Sequence, residues 1–388
     1  MKKLVSLSIV LLLTFQLFSQ DTVKSAEPEK YKFDTLKILP ATPVKDQYRS
    51  GTCWSFAAVS YLESELIRLG SGETDLSEMF FVNHAYREKA KKYIRYHGSS
   101  NFGPGGQAHD VMNIIKSYGY VSETGYPGIV PGETSHNHGE LDKVLKGFLD
   151  AVLASKSGKL SQAWYPAYLG ILDAYLGKLP ENSKQTTQKI NPDDYIELTS
   201  YSHHPYYTWI NLEIPDNWSN DKYFNVPLDE LMSLMFDALN KGYTIAWDGD
   251  VSDKGFSHSN GIAILPDKDI KSLAGSERER WEKLSEKDKN AELYKFETPG
   301  NEKKVTPEMR QEAFDSHLST DDHLMHVIGI AVDQKGTRYL ITKNSWAANS
   351  NKYGGYLKIS EPYARMHTIA FMVHKDALPG AILKKAGE

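Results

Sequence analysis

The stretch from 47 to 69, QYRSGTCWSFAAVSYLESELIRL, holds the single cysteine of a 388-residue chain at what reads as a helix start. Ser50, Gly51 and Thr52 make a short polar turn. Ala57, Ala58, Val59, Leu62, Leu66 and Leu69 then recur at helical spacing until Gly70 and Gly72 end the run. Cys53 therefore falls in the first turn, where free backbone N–H groups and the positive end of the helix dipole favour an anion. A thiolate is such an anion, and a helix start beside an imidazolium lowers a free thiol from its usual ~8.5. A lone cysteine is also often just a small buried hydrophobe. With one cysteine the chain cannot close an internal disulfide, so its fold must rest on its core.

The material for that core is present, with 40% hydrophobic and 11% aromatic residues. A net charge of -5 gives no basic surface of the kind that binds nucleic acid or an anionic membrane. At the N-terminus, Lys2 and Lys3 precede an apolar run from Leu4 to Leu13, continued by Phe15, Leu17 and Phe18, and polar sequence begins at Gln20. This outline predicts a signal peptide over residues 1–20 and an exported protein, periplasmic or secreted. No other segment approaches the roughly 18 apolar residues of a membrane span, so no stable membrane anchor is expected after processing.

Residues 21–135 read as an extended arm followed by a helical half. LKILPATPVKDQ is strand-like, LSEMFFVNHAYREKAKKYIRYH is an amphipathic helix, and Gly103, Gly105 and Gly106 form a loop that opens a further helix through Val111, Ile114 and Ile115. Residues 136–320 are mixed, with helical LDKVLKGFLDAVLAS, strand-like YIELTSY and a charged, solvated helix around ERERWEKLSEKDKNAE. Toward the C-terminus YTIAWDGD, GIAILPD, HVIGIAVDQ, RYLITKNSW and YLKIS read as strands, and residues 321–388 form the strand-rich end. Helices first and strands last predict an α+β fold.

A cysteine nucleophile needs a base and a group that orients the base, both facing the helix start from elsewhere in the fold. His326 opens the strand HVIGIAVD, and Asn344 ends the next strand in KNSW. Metal sites are not expected: His317, His323 and His326, and the pairs His136/His138 and His203/His204, lack Cys and acidic ligands at standard spacing. DGDVSDKG begins like a calcium loop but has Ser259 where a bidentate Glu belongs, so it reads as a turn.

Taken in order, SGTCWSF, GPGGQAHDVMNIIKSYGYVSETGYP, MHVIGIAV and KNSWAANSNKYGGYLKIS resemble the papain-like cysteine peptidases. The resemblance implies an α+β papain-like fold, with a helical subdomain bearing the catalytic Cys and a β-barrel-like subdomain. It implies Cys53 as nucleophile, His326 as general base and acid, Asn344 as the group orienting the imidazole, and Gln47 as side-chain donor of the oxyanion hole. Trp346 corresponds to the indole that shields the His–Asn pair. Gly105 and Gly106 correspond to the glycines that pair with an extended substrate. No cofactor is implied.

Two departures narrow the resemblance. Ser50 and Pro104 stand where secreted papain-type enzymes carry two disulfide-bonded cysteines. The spacing from Cys53 to His326 is 326 − 53 = 273 residues, against roughly 130–150 in papain and cathepsins. Both resemble the bleomycin hydrolase and aminopeptidase C branch, which implies an aminopeptidase acting on peptide or protein substrates, its own C-terminus in the cleft, and a homo-hexamer. Endopeptidase, thiol acyltransferase and an idle binding protein are the alternatives.

Overall fold

The computed structural model describes residues 29–130, 132–155, 158–181, 189–268 and 273–388. The expected signal peptide lies outside them. In chain order the elements are β1 (Phe33–Ile38), α1 (Cys53–Arg68), α2 (Glu78–Arg95), α3 (Ala108–Tyr118), α4 (Gly139–Ala154), α5 (Trp164–Leu176), β2 (Tyr195–Thr199), β3 (Thr208–Ile210) and β4 (Tyr223–Asn225). There follow α6 (Leu228–Lys241), β5 (Ile245–Gly249), β6 (Phe256–Ser257), β7 (Ile262–Ala263), α7 (Gly275–Lys283), α8 (Glu286–Leu293) and α9 (Pro307–Asp315). The chain closes with β8 (His323–Asp333), β9 (Arg338–Lys343), β10 (Tyr356–Ser360), α10 (Glu361–His367), β11 (Thr368–His374) and α11 (Gly380–Ala386). The order of helices and strands is the expected α+β one.

The strands form a sheet in the order β3-β4-β2-β11-β5-β8-β9-β10-β7-β6, with β1 on β8. β8 is long enough for its first half to pair with β5 and its second half with the N-terminal arm. The period-2 alternation of side chains splits the sheet between two cores. On β5, Ala246 packs with the helical half, while Ile245 and Trp247 pack against α6 on the other side. Helix α1 is buried nearly all round from Trp54 to Leu66 and lies against β8 and β5, so its first turn meets the start of β8. The segment after residue 135 joins both halves: α4 and α5 pack on α2, whereas β2 and β5 enter the sheet.

The C-terminal helix α11 seats Ile382 and Ala386 in the core beneath the sheet. Trp209 Nε1 donates to Ala386 O at 2.8 Å, and the Glu388 side chain pairs with Lys375 at 2.5 Å. The tail is thus held on β3 and beside the end of β11, while Cys53 belongs to the opposite, helical half.

Candidate active site

Cys53 is the first residue of α1, and its cap Thr52 makes no side-chain bond to the helix end. The Thr52 hydroxyl is instead held by Ser50 Oγ at 2.5 Å, so the first N–H groups of the helix stay directed at the cleft. Gly51 lies at φ +65°, and a Cβ there would meet the Pro104 ring at 2.8 Å; the two segments that a disulfide ties in the papain type are therefore in contact without one. Trp54 Nε1 donates to Pro104 O at 2.8 Å, and Lys89 Nζ donates to Gly103 O at 2.9 Å and also to Gly105 O. These bonds fasten the glycine loop to the helices.

Cys53 Sγ accepts a hydrogen bond from the backbone N–H of Leu324, the residue after His323. His323 Nε2 is 2.8 Å from Asn344 Oδ1, and its ring lies 4.8 Å from that of Trp346. The partner of Asn344 is therefore His323, and the expectation for His326 is corrected. Register gives the reason. His326 pairs with Lys343 across antiparallel strands, so those two side chains share a face and Asn344, one residue on, points to the other. His323, three residues before His326, lies on the Asn344 face. His326 instead faces α1: Ser60 Oγ, which accepts from Lys343 Nζ at 2.7 Å, bonds His326 Nδ1 at 2.8 Å. Burial, then the Lys343 charge, holds His326 well below the ordinary imidazole range.

Asn344 is gripped from its other end as well. Its Nδ2 donates to His258 Nδ1 at 3.2 Å, and His258 Nε2 lies 2.7 Å from Ser350 Oγ. That hydroxyl donates its one proton to Ala347 O at 2.6 Å, so it accepts from His258 Nε2–H, leaving Nδ1 as the acceptor. The chain of bonds fixes the Asn344 amide with Oδ1 toward His323. Trp346 packs edge-on against His258 at 4.9 Å. His258 lies outside the segments that carried the resemblance, and nothing in its spacing signalled this role.

Gln47 is placed by the arm running alongside residues 345–347. Gln47 N donates to Ser345 O at 2.8 Å, Ala347 N to Lys45 O at 3.2 Å, and Ser345 Oγ to Gln47 Oε1 at 2.6 Å. With the amide oxygen engaged, Nε2 is the end left for another acceptor. Gly106 has no room for a Cβ beside Trp54, and a Cβ on Gly105 would overlap the Asp216 carboxylate. Gly106 is thus backed by Trp54, and Gly105 is covered by the Asp216 carboxylate.

The electrostatics differ from the helix-dipole expectation. Burial, followed by the fields of Asp216, Asp248 and Asp321, outweighs the Leu324 hydrogen bond and pushes the Cys53 thiol up to about 12. Burial also pushes His323 down to about 4 against the Asn344 hydrogen bond. The Asp250–Gly255 stretch forms the expected turn, Asp250 Oδ1 accepting from Ser252 N and Asp253 N. His203 and His204 contact Glu213 at 3.2 and 3.0 Å on the surface.

Residues 28–152 match the family model described as papain family cysteine protease. Cysteine proteinase 1, mitochondrial, of Saccharomyces cerevisiae is 20% identical, the match covering 91% of this chain and 79% of that protein. The rice senescence-specific cysteine protease SAG39 is 28% identical over 150 residues; the matched part spans 41% of its length and 35% of this chain. The crystal structure of PepW from Lactobacillus rhamnosis HN001 superposes with a TM-score of 0.66 at 18% identity, covering 91% of this chain and 84% of that one. The first part of this chain is thus similar to the papain family of cysteine proteases, and its fold as a whole is similar to that of PepW. The yeast and PepW likenesses run through the segment between Cys53 and His323, so the long insertion is part of what this chain shares with them.

Proposed function

We propose that the chain is an exported cysteine peptidase that removes N-terminal residues from peptides through a thioester acyl-enzyme. One observation carries the catalytic assignment: His323 Nε2 bonds Asn344 Oδ1 while the residue after His323 donates its N–H to Cys53 Sγ. With Nε2 occupied, Nδ1 of His323 is the nitrogen left to serve Cys53. As Sγ forms its bond to the scissile carbonyl carbon, the thiol proton passes to Nδ1. The carbonyl oxygen becomes an oxyanion, met by Gln47 Nε2–H and the Cys53 backbone N–H. Collapse of the tetrahedral intermediate breaks the C–N bond, and Nδ1–H protonates the leaving amine. Water then gives a proton to Nδ1 and attacks the thioester, and the acid departs as Sγ recovers its proton.

Asn344 keeps the imidazole turned toward Cys53 and stabilises the imidazolium as it forms, and Trp346 covers the pair from water. The aminopeptidase reading is supported by the Asp216 carboxylate that covers Gly105, and export by the Lys2–Lys3 and Leu4–Leu13 pattern.

Intact-mass measurement after incubation with a vinyl-sulfone or epoxide probe tests the nucleophile: one adduct on Cys53, lost in Cys53→Ser, is expected. No adduct under reducing conditions overturns the reading. Cutting mode is tested by comparing free-amine with N-blocked fluorogenic peptides, and equal turnover of the two refutes exopeptidase action.

A further inference from the structure

Asp216 lies in the insertion and reaches across to the glycine loop. Asn101 Nδ2 donates to Pro215 O at 2.7 Å and contacts Asp216 Oδ1 at 3.3 Å, and Trp218 Nε1 donates to Asp110 Oδ2 at 2.8 Å. These bonds lay residues 215–218 against the first turn of α3 and set the Asp216 carboxylate where a side chain at Gly105 would be. An extended peptide paired along Gly105 and Gly106 runs into a carboxylate just upstream of the cut.

Two more carboxylates face the same place from the sheet. Asp248 is two residues beyond Ala246, whose side chain packs under the helices, so the carboxylate faces the same side. It pairs across the strands with Leu324, whose N–H meets Cys53 Sγ. Asp248 is 2% exposed and its carboxyl bonds the Asp321 carboxyl, so the two share a proton, and burial and then the Asp321 charge hold Asp248 well above the ordinary carboxyl range. Asp321 also accepts from Gln107 Nε2 through Oδ1 at 3.0 Å and from the backbone N–H of Asp216, which ties the loop bearing Asp216 to the other two carboxyls. Two buried phenol groups, Tyr201 and Tyr223, meet no hydrogen-bond partner, and both lie in the field of Asp248 and Asp321.

Among the described residues none of the three aspartates forms a salt bridge. Lys89, the cation whose field reaches Asp216, commits its Nζ to the Gly103 and Gly105 carbonyls. Three carboxyls clustered out of water raise one another's charging cost, the fields of Asp216 and Asp321 acting on Asp248 and that of Asp216 on Asp321, and a ligand carrying N–H donors and a positive charge relieves that cost. A bare metal ion fits less well, since the one group of ligand atoms close enough together for metal, among the described residues, is His203, His204 and Glu213.

Resting on the peptidase reading above, we propose that Asp216, Asp248 and Asp321 form a receptor for the free α-ammonium group of the substrate. The insertion closes the cleft above Gly105, and the aspartates hold the peptide's N-terminus at that wall. Exopeptidase action then comes from the insertion, while the C-terminal helix stays on the far core.

Calorimetric titration of the Cys53→Ala protein, which cannot turn substrate over, tests the receptor directly. The probes are alanyl-leucine amide, its N-acetylated form and N-acetyl-lysyl-leucine amide. The free-amine peptide is expected to bind at least about tenfold more tightly than both blocked peptides, about 1.4 kcal/mol. Asp216→Asn and Asp248→Asn are expected to erase that preference. Asp216 is on a half-exposed loop, so its substitution reports even if the buried one fails to fold. Equal binding of all three peptides, tight binding of the acetyl-lysyl peptide alone, or a preference surviving Asp216→Asn overturns the proposal. Probe labelling of Cys53 in the intact enzyme reports separately on the peptidase reading: an unlabelled thiol with the amine preference intact sinks the chemistry and leaves the receptor standing.

Discussion

His323 and Asn344 are joined Nε2 to Oδ1 across 2.8 Å, although the two residues lie on neighbouring strands and a second imidazole, His326, stands three positions away. The choice follows from strand register, and its consequence for catalysis is sharp. His323→Ala is expected to lower kcat by at least about 10³-fold, the loss seen when a catalytic base is removed. His326→Gln is expected to leave kcat of the folded enzyme within a few-fold while costing about 1–3 kcal/mol in stability, because the bond to Ser60 is disturbed in a buried site. Parallel kinetics and urea unfolding of the two variants check the assignment; the reverse pattern sinks it.

The bond from Asn344 Nδ2 to His258 Nδ1 makes His258 a positioning residue. His258→Phe is expected to lower kcat about tenfold with KM nearly unchanged, since the lost orientation is needed chiefly in the transition state. His258→Gln, whose amide oxygen can still accept from Nδ2, is expected to recover most of the rate. Steady-state kinetics on the pair distinguishes orientation from mere packing, because a packing role is not rescued by the glutamine.

Gln47 is held by its own oxygen against Ser345 Oγ at 2.6 Å, which frees the amide NH₂ for the oxyanion. Gln47→Ala is expected to reduce kcat by about 10²–10³-fold while Cys53 keeps its reaction with a simple alkylating agent, a displacement that forms no oxyanion. Equal loss in both reactions would count against the oxyanion role.

Stability should respond to pH from two sides. Burial pushes His138 and His323 down to about 4; their folded values lie below the unfolded ones, so the stability they give is present above about 6.5 and is lost as pH falls toward 4. Burial pushes Glu302 up to about 7 against its bonds from Leu265 N and Ser360 Oγ. Its contribution has the opposite sign, present below the ordinary carboxyl value and lost as pH rises through 7. Urea midpoints are therefore expected to fall between pH 6.5 and 8.5, where those histidines no longer titrate, and Glu302→Gln is expected to flatten the fall. An unchanged slope in the variant refutes the assignment to Glu302.

Much of this architecture is legible in the chain. The helical spacing after Cys53, the glycine loop, the strands near the C-terminus and the segregation of helices from strands all appear in the structure, because each depends on local periodicity and turn chemistry. The positions of Cys53 at the start of α1 and of Asn344 just past β9 follow from the same local signals. Strands β8 and β11 show the limit. β8 begins at His323, not at His326: the polar run Ser319–Asp322 marks its start, and reading the strand from the apolar run VIGIAV alone sets that start too late. TIAFMVH, nearly continuous in apolar residues, becomes the central strand β11 only because both its faces are covered.

The sequence by itself determined the elements and the inventory of reactive groups: one thiol at a helix start, several imidazoles, an amide at a strand end, glycines in a loop. Tertiary structure decided which of them meet. Pairing register selected His323 over His326, since one residue's step along a strand reverses the face. The fold also brought His258 and Asp216 from the insertion and Asp248 from β5 to the cleft, across separations that no local pattern encodes. And the fold set burial and the fields of Asp216, Asp248 and Asp321, which raise the Cys53 thiol, against the Leu324 N–H, which lowers it.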